Sequence, residues 1–139
     1  WNASRGKMYY IDTPTRMVHE YDWNPEDSSI TGDRILCEIP RSKGSPDGMT
    51  IDREGRLWIA LWGGHGVTCI NSETGREEER IEVPAPNVTS CTFGGKDLDT
   101  LYITTASLGI PEADRDRYPE AGSIFSVKPG CHGLPPTLF

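Results

Sequence analysis

The sequence is short of nearly every feature that names a partner by composition. No apolar run approaches the roughly 18 to 20 residues needed to cross a bilayer, and no charged-then-apolar leader precedes the first patterned segment, so no membrane is expected. Basic residues are outnumbered, 14 Lys and Arg against 21 Asp and Glu for a net charge of −7, and none form a run that would follow a phosphate backbone; nucleic acid is not an expected partner. Cysteine is sparse. Cys37, Cys69, Cys91 and Cys131 fall singly in apolar, strand-like contexts without a CxxC, which predicts free, mostly buried thiols rather than a disulfide framework. Neither a Ser-His-Asp arrangement, a phosphate loop nor a zinc motif appears. These absences fit a cytoplasmic chain, in which the sequons at Asn2 and Asn87 arise by chance.

What the sequence has in quantity is turn formers. Its 15 Gly and 11 Pro in 139 residues predict many short elements, hence a single all-β domain. Self-alignment superposes KMYYID (7–12), RLWIAL (56–61) and TLYITT (100–105), with Met8, Leu57 and Leu101 coincident at spacings of 49 and 44 residues. A second strand follows each, marked by Val18 and Tyr21, Val67 and Ile70, Ile124 and Val127. The step from first to second strand is ten residues in two units and twenty-three in the third, which therefore carries a thirteen-residue insertion. Short strands are expected ahead of each aligned strand (WNASRGK, MTIDREGR, CTFGGKDLDT), and a further strand behind the first two units (RILCEIP, ERIEVP). Four strands at a period of about 45 residues is the pattern of a β-propeller blade, against an ordinary β-sandwich as the alternative. The expected blades are 1–40, 41–84 and 85–130, with a tail at 131–139. Three blades fall short of the usual minimum of about four for a closed ring. Together with a first residue that is Trp1 rather than Met, this predicts half of a six-bladed ring, completed by a missing N-terminal half or by a second copy.

In an antiparallel blade the entry to the first strand and the turn between the second and third share one end, where a site can assemble. Asp47 lies there, between Pro46 and Gly48, with Trp62 and His65 across the turn. Unit three offers Thr89, Ser90 and the insertion 106–121, whose charged stretch from Glu112 to Arg117 suits a solvated short helix or lid; unit one offers Asp12, Thr13 and Thr15. Pro-Asp-Gly is also a common structural turn, in which the carboxylate bonds nearby amides. At the start of an innermost strand, however, it can meet a hard cation near the ring axis. His65 reads as a turn residue or a substrate contact, and Trp62 as a pocket wall or a blade cap. Asp52–Gly55 and Gly94–Asp99 fall at the opposite end and read as structural, and Glu77–Arg80 as the solvated face of an outer strand. His19 and His132 show no ligand spacing.

The segments SPDGMTID, EGRLWIALWGGHGV, PNVTSCTFGGKDLDTLYITTA and AGSIFSVKPG closely resemble, in that order, the C-terminal half of the regucalcin family, also called the senescence-marker-protein, gluconolactonase and luciferin-regenerating-enzyme family. YYIDTPTRMVHEYDW resembles its preceding blade. The resemblance implies a six-bladed propeller about twice as long as this chain. It also implies a divalent cation on the axis, calcium first, with zinc or magnesium as alternatives. Of the family's three cation ligands, a Glu, an Asn and the Asp of PDGM, only the last has a counterpart here, Asp47; the Arg and Asn that hold the sugar also fall outside. The implied activity is hydrolysis of a small sugar lactone, with Asp47 as cation ligand and general base. This half alone is then expected to be inactive. The alternatives are a non-catalytic calcium-binding or interaction propeller, and a phosphotriester hydrolase on the same fold.

Overall fold

The computed structural model describes residues 1–135; the end of the expected tail lies outside them. Ten strands lie among the described residues: β1 (Lys7–Asp12), β2 (Met17–Trp23), β3 (Ile30–Glu38), β4 (Ser45–Ile51), β5 (Leu57–Trp62), β6 (Gly66–Ile70), β7 (Glu77–Glu82), β8 (Asn87–Gly94), β9 (Thr100–Ala106) and β10 (Ile124–Val127). All pairings are antiparallel between strands adjacent in sequence, except for one ladder pair, Trp62 with Asn87, that joins β5 to β8. The strands form a three-stranded sheet, β1–β3, and a seven-stranded sheet in which β4–β7 and β8–β10 are joined through that pair; along the chain these are three consecutive units.

Among the described residues only the middle unit has the four strands of a blade. WNASRGK, read from the sequence as a strand, instead makes a 3-10 turn at Ala3–Arg5 closed by Gly6 in the left-handed region, with a single bridge from Asn2 to Lys7. Six residues with a tight Gly turn leave no room for a paired strand. Aligned on β1, β5 and β9, the described residues hold no counterpart of β4 in unit one and none of β7 in unit three. In the described part of the tail, Gly133 makes an isolated bridge to Asp52.

Unit two is the core because its second strand is apolar on both faces, LWIALW. Alternation splits the strand cleanly: Leu57, Ile59 and Leu61 pack on Tyr9, Val18, Leu36 and Ile39 of unit one. Trp58 and Ala60 pack on Val88, Cys91, Leu101 and Ile103 of unit three. Side chains that alternate faces in this way place β5 between two neighbouring sheets. The outer faces of the flanking units have no such cover among the described residues. Tyr10 and Ile35 on one side, and Tyr102 and Ile124 on the other, are exposed. All four thiols are free, three buried and Cys37 half-buried, and burial pushes them up to about 11 (Cys37, Cys131) or about 12 (Cys69, Cys91). Both sequon asparagines are buried too, which closes them to a glycan. No helix among the described residues is long and apolar enough to cross a membrane.

Candidate functional site

Asp47 stands at the entry of β4, where the ladder to β5 shifts register between Pro46 and Met49. The irregularity takes Asp47 and Gly48 out of regular pairing, and β-bulges commonly re-aim a side chain in this way. Gly48 is fixed by a close approach rather than by an unusual φ: a Cβ there would overlap the Ser90 side chain and come within 2.9 Å of the Ser90 Cα. The glycine therefore lets β4 and β8 approach closely, and sets Ser90 against the residue next to Asp47. The Asp47 carboxylate is half-buried and forms no ion pair among the described residues. Burial pushes its pKa up from the ordinary 3.8, with a bond from the Gly48 backbone amide pulling the other way. A desolvated carboxylate without a cationic neighbour is a group that gains from meeting a cation.

The other predicted residues divide. Trp62 pairs with Ser45 on one side and Asn87 on the other, and is half-exposed with Gly109 of the insertion beside its ring. His65 adopts a left-handed φ of 57° in the turn before β6, its ring 5.5 Å from that of Tyr118. The Thr89 and Thr104 hydroxyls lie 2.7 Å apart. Asp12 accepts from the Thr15 hydroxyl at 2.7 Å within the β1–β2 turn, with Thr13 exposed beside it; no direct contact carries either residue to Asp47. The insertion forms a 3-10 helix, Glu112–Arg117, exposed as expected, and is tied down by Asn87 Nδ2 donating to the Leu108 carbonyl at 2.8 Å and by the burial of Ile110. It closes over Trp62 and His65, on the same end as Asp47. The run at Glu77 is less free than its sequence reads. Glu77 accepts from Lys43 Nζ and from the Thr68 hydroxyl, and these bonds hold its pKa down against the opposing effect of burial.

One residue escaped the sequence reading altogether. Arg16 is buried, with a left-handed φ of 69°, and its guanidinium donates to the Ile39 carbonyl (2.8 Å), the Pro40 carbonyl (3.0 Å), the Ser45 hydroxyl (3.0 Å) and the Gly44 carbonyl. A lone arginine in a turn carries no motif; the one available signal was its offset, eight residues after Met8, matching His65 eight after Leu57.

Among the described residues no three His, Cys, Asp or Glu side chains gather closely enough to hold a metal ion. Asp47 fits one position in the shell of a hard cation and no more, since calcium takes roughly six to eight oxygens.

Comparison with known proteins places this geometry. The family model described as "SMP-30/Gluconolactonase/LRE-like region" matches residues 1–107. "Putative sugar lactone lactonase YvrE" of Bacillus subtilis (strain 168) is 43% identical over 139 residues, covering 100% of this chain and 48% of that protein. Regucalcin of Danio rerio is 38% identical over 137 residues, covering 98% of this chain and 46% of its own length. Among solved structures, a luciferin-regenerating enzyme superposes with a TM-score of 0.86 at 36% identity, covering 96% of this chain and 45% of that one. The chain thus spans about half the length of the curated relatives it matches. It belongs to the SMP-30/gluconolactonase/LRE-like family.

Proposed function

We propose that this chain is the C-terminal half of a six-bladed propeller whose full-length form hydrolyses a sugar lactone at a divalent cation held in part by Asp47. The observation that carries the reading is the state of Asp47 itself. It is a half-buried carboxylate with a raised pKa and, among the described residues, no ion-pair partner, at the entry of β4 where the ladder to β5 shifts register. The relative named as a sugar lactone lactonase supports the substrate class. Asp47 would hold the cation and accept a proton from the attacking water, the general-base role open to a carboxylate within reach of that water. The cation, when bound, would polarise the ring carbonyl and acidify that water. Trp62, His65 and the insertion wall the same end and would meet the substrate. Calcium is the first choice of metal, on the hard oxygen donor and on the solved relative titled as a calcium-binding protein, regucalcin, of Agrobacterium tumefaciens (25% identity, TM-score 0.86).

The test is turnover of a sugar lactone by the full-length protein, with and without chelator, and in Asp47→Ala. Loss of activity in both is expected; activity that survives both overturns the reading. That same solved relative also favours a second reading, calcium binding without catalysis. Retained calcium affinity with no turnover across a lactone panel would select it.

A further inference from the structure

Arg16 and His65 are copies of one position. Each ends the turn after the aligned strand of its unit, each is left-handed, and each gives its backbone carbonyl to the next unit's approach, Ile39 N–H to Arg16 at 3.0 Å and Val83 N–H to His65 at 2.9 Å. The repeat thus asks for a main-chain bond at this position, and His65 meets it with an imidazole that turns to Tyr118 instead. The guanidinium of Arg16 goes beyond what the repeat requires. It is buried, and among the described residues no carboxylate pairs with it. A buried cation without a counter-ion is costly unless its hydrogen bonds are well used. Four are used, and all go to Ile39, Pro40, Gly44 and Ser45, the segment that leads into Asp47.

Between the buried Ile39 and the Ser45–Trp62 ladder pair, that segment is otherwise held by the bond from Lys43 Nζ to Glu77. The 3-10 turn Arg41–Lys43 has no buried residue, and Gly44 sits at φ 99° with its backbone against Trp62 and Gly64. The planar fork of arginine can hold several carbonyls in fixed relative positions, which the point charge of lysine cannot. We propose that Arg16 is a positioning residue for the cation site: it clamps the β4 entry from the neighbouring unit so that the Asp47 carboxylate is presented for coordination. The proposal rests on the reading of Asp47 as a cation ligand.

Calcium alone, titrated calorimetrically into the full-length protein, tests it, with thermal stability measured alongside. Arg16→Met should weaken calcium binding about tenfold, and Arg16→Lys should recover part of that loss. Ser45→Ala, which removes one acceptor and strands no charge, should weaken binding about threefold to fivefold, the worth of one net hydrogen bond. Asp52→Asn, at the far end of β4, is the control for instability as such. Calcium affinity in Arg16→Met no lower than in Asp52→Asn overturns the proposal. If Arg16→Met does not fold, Arg16→Lys and Ser45→Ala decide by the same comparison, and wild-type affinity in both overturns it. Wild-type protein that binds no calcium removes the Asp47 reading and this proposal together; wild-type binding with unaffected variants removes this proposal alone.

Discussion

The strand β4 lies between two aspartates, Asp47 within its entry and Asp52 just past its end, and they are opposites. Asp52 is fully buried and completely used: its carboxylate accepts from the Arg56 backbone amide (2.8 Å), Arg56 Nε (2.8 Å) and Trp58 Nε1 (2.9 Å). The Arg56 guanidinium also lies 5.8 Å from the centre of the Trp58 ring, which carries that same indole. The network pins the β4–β5 turn to the core, and the tail crosses it through the Gly133 bridge and the bond from Arg53 N to the His132 carbonyl (2.8 Å). Asp47 is half-buried, without an ion pair, and held by one neighbouring amide. A carboxylate whose bonds are all made can stabilise a fold and do little else. One left desolvated and unpaired costs stability, and such groups concentrate at sites of function.

Swapping the consequences of the two residues is the strongest way to break that contrast. In the full-length protein Asp47→Ala should lower lactone turnover by about a thousandfold or more, the scale of losing a charge-stabilising group at a reacting centre. Its melting temperature should stay close to wild type. Asp52→Ala should do the reverse. Removing one partner from a buried ion pair costs about 3–5 kcal/mol, read as a shift in denaturant midpoint, while turnover per folded molecule is unchanged. Turnover lost through Asp52→Ala in protein that is still folded would sink the division of labour drawn here. A smaller effect is expected at Gly48→Ala. The new methyl has to push Ser90 away, so β8 separates from β4; turnover should fall about tenfold with a stability loss of about 1–3 kcal/mol, the usual cost of overpacking.

The two ends of β4 also differ in how legible they were. Asp52 sits in a polar turn, IDREGR, that reads as structural from sequence alone, and it is. Pro46-Asp47-Gly48 was ambiguous, because a turn and a cation ligand use the same tripeptide; what separates them is whether the carboxylate finds local partners, a property of three dimensions. The period of strands was plain because side-chain alternation and turn residues are local signals, and the two-faced burial of LWIALW followed from its unbroken apolar run. The strand count was not. WNASRGK stands where a short first strand is expected, but pairing needs a neighbour across the sheet, and the Gly6 turn consumes the segment before one can form. Arg16 was invisible for the reason that makes it notable: three of its four acceptors are backbone carbonyls, those of Ile39, Pro40 and Gly44, as far as 28 residues along the chain, and carbonyls carry no sequence signature.

The finest distinction lies in how stability responds to pH. Burial raises the Asp47 pKa in the folded chain, so the folded state holds that proton more tightly than the unfolded state does. Stability linked to this group is therefore greatest below its unfolded value, near the ordinary 3.8, and falls as pH rises through the interval up to its folded value; above that interval the penalty is fully present. Removing the charge removes the penalty. Asp47→Asn in metal-free protein should match or slightly exceed wild-type stability at neutral pH, and the difference should close as pH falls through the interval. Calcium should reverse the order at neutral pH, since only the wild type gains stability from binding it. Melting curves at two pH values, with and without calcium, read all of this in one set of measurements. A metal-free Asp47→Asn protein less stable than wild type would mean that this carboxylate, like Asp52, is held for the fold.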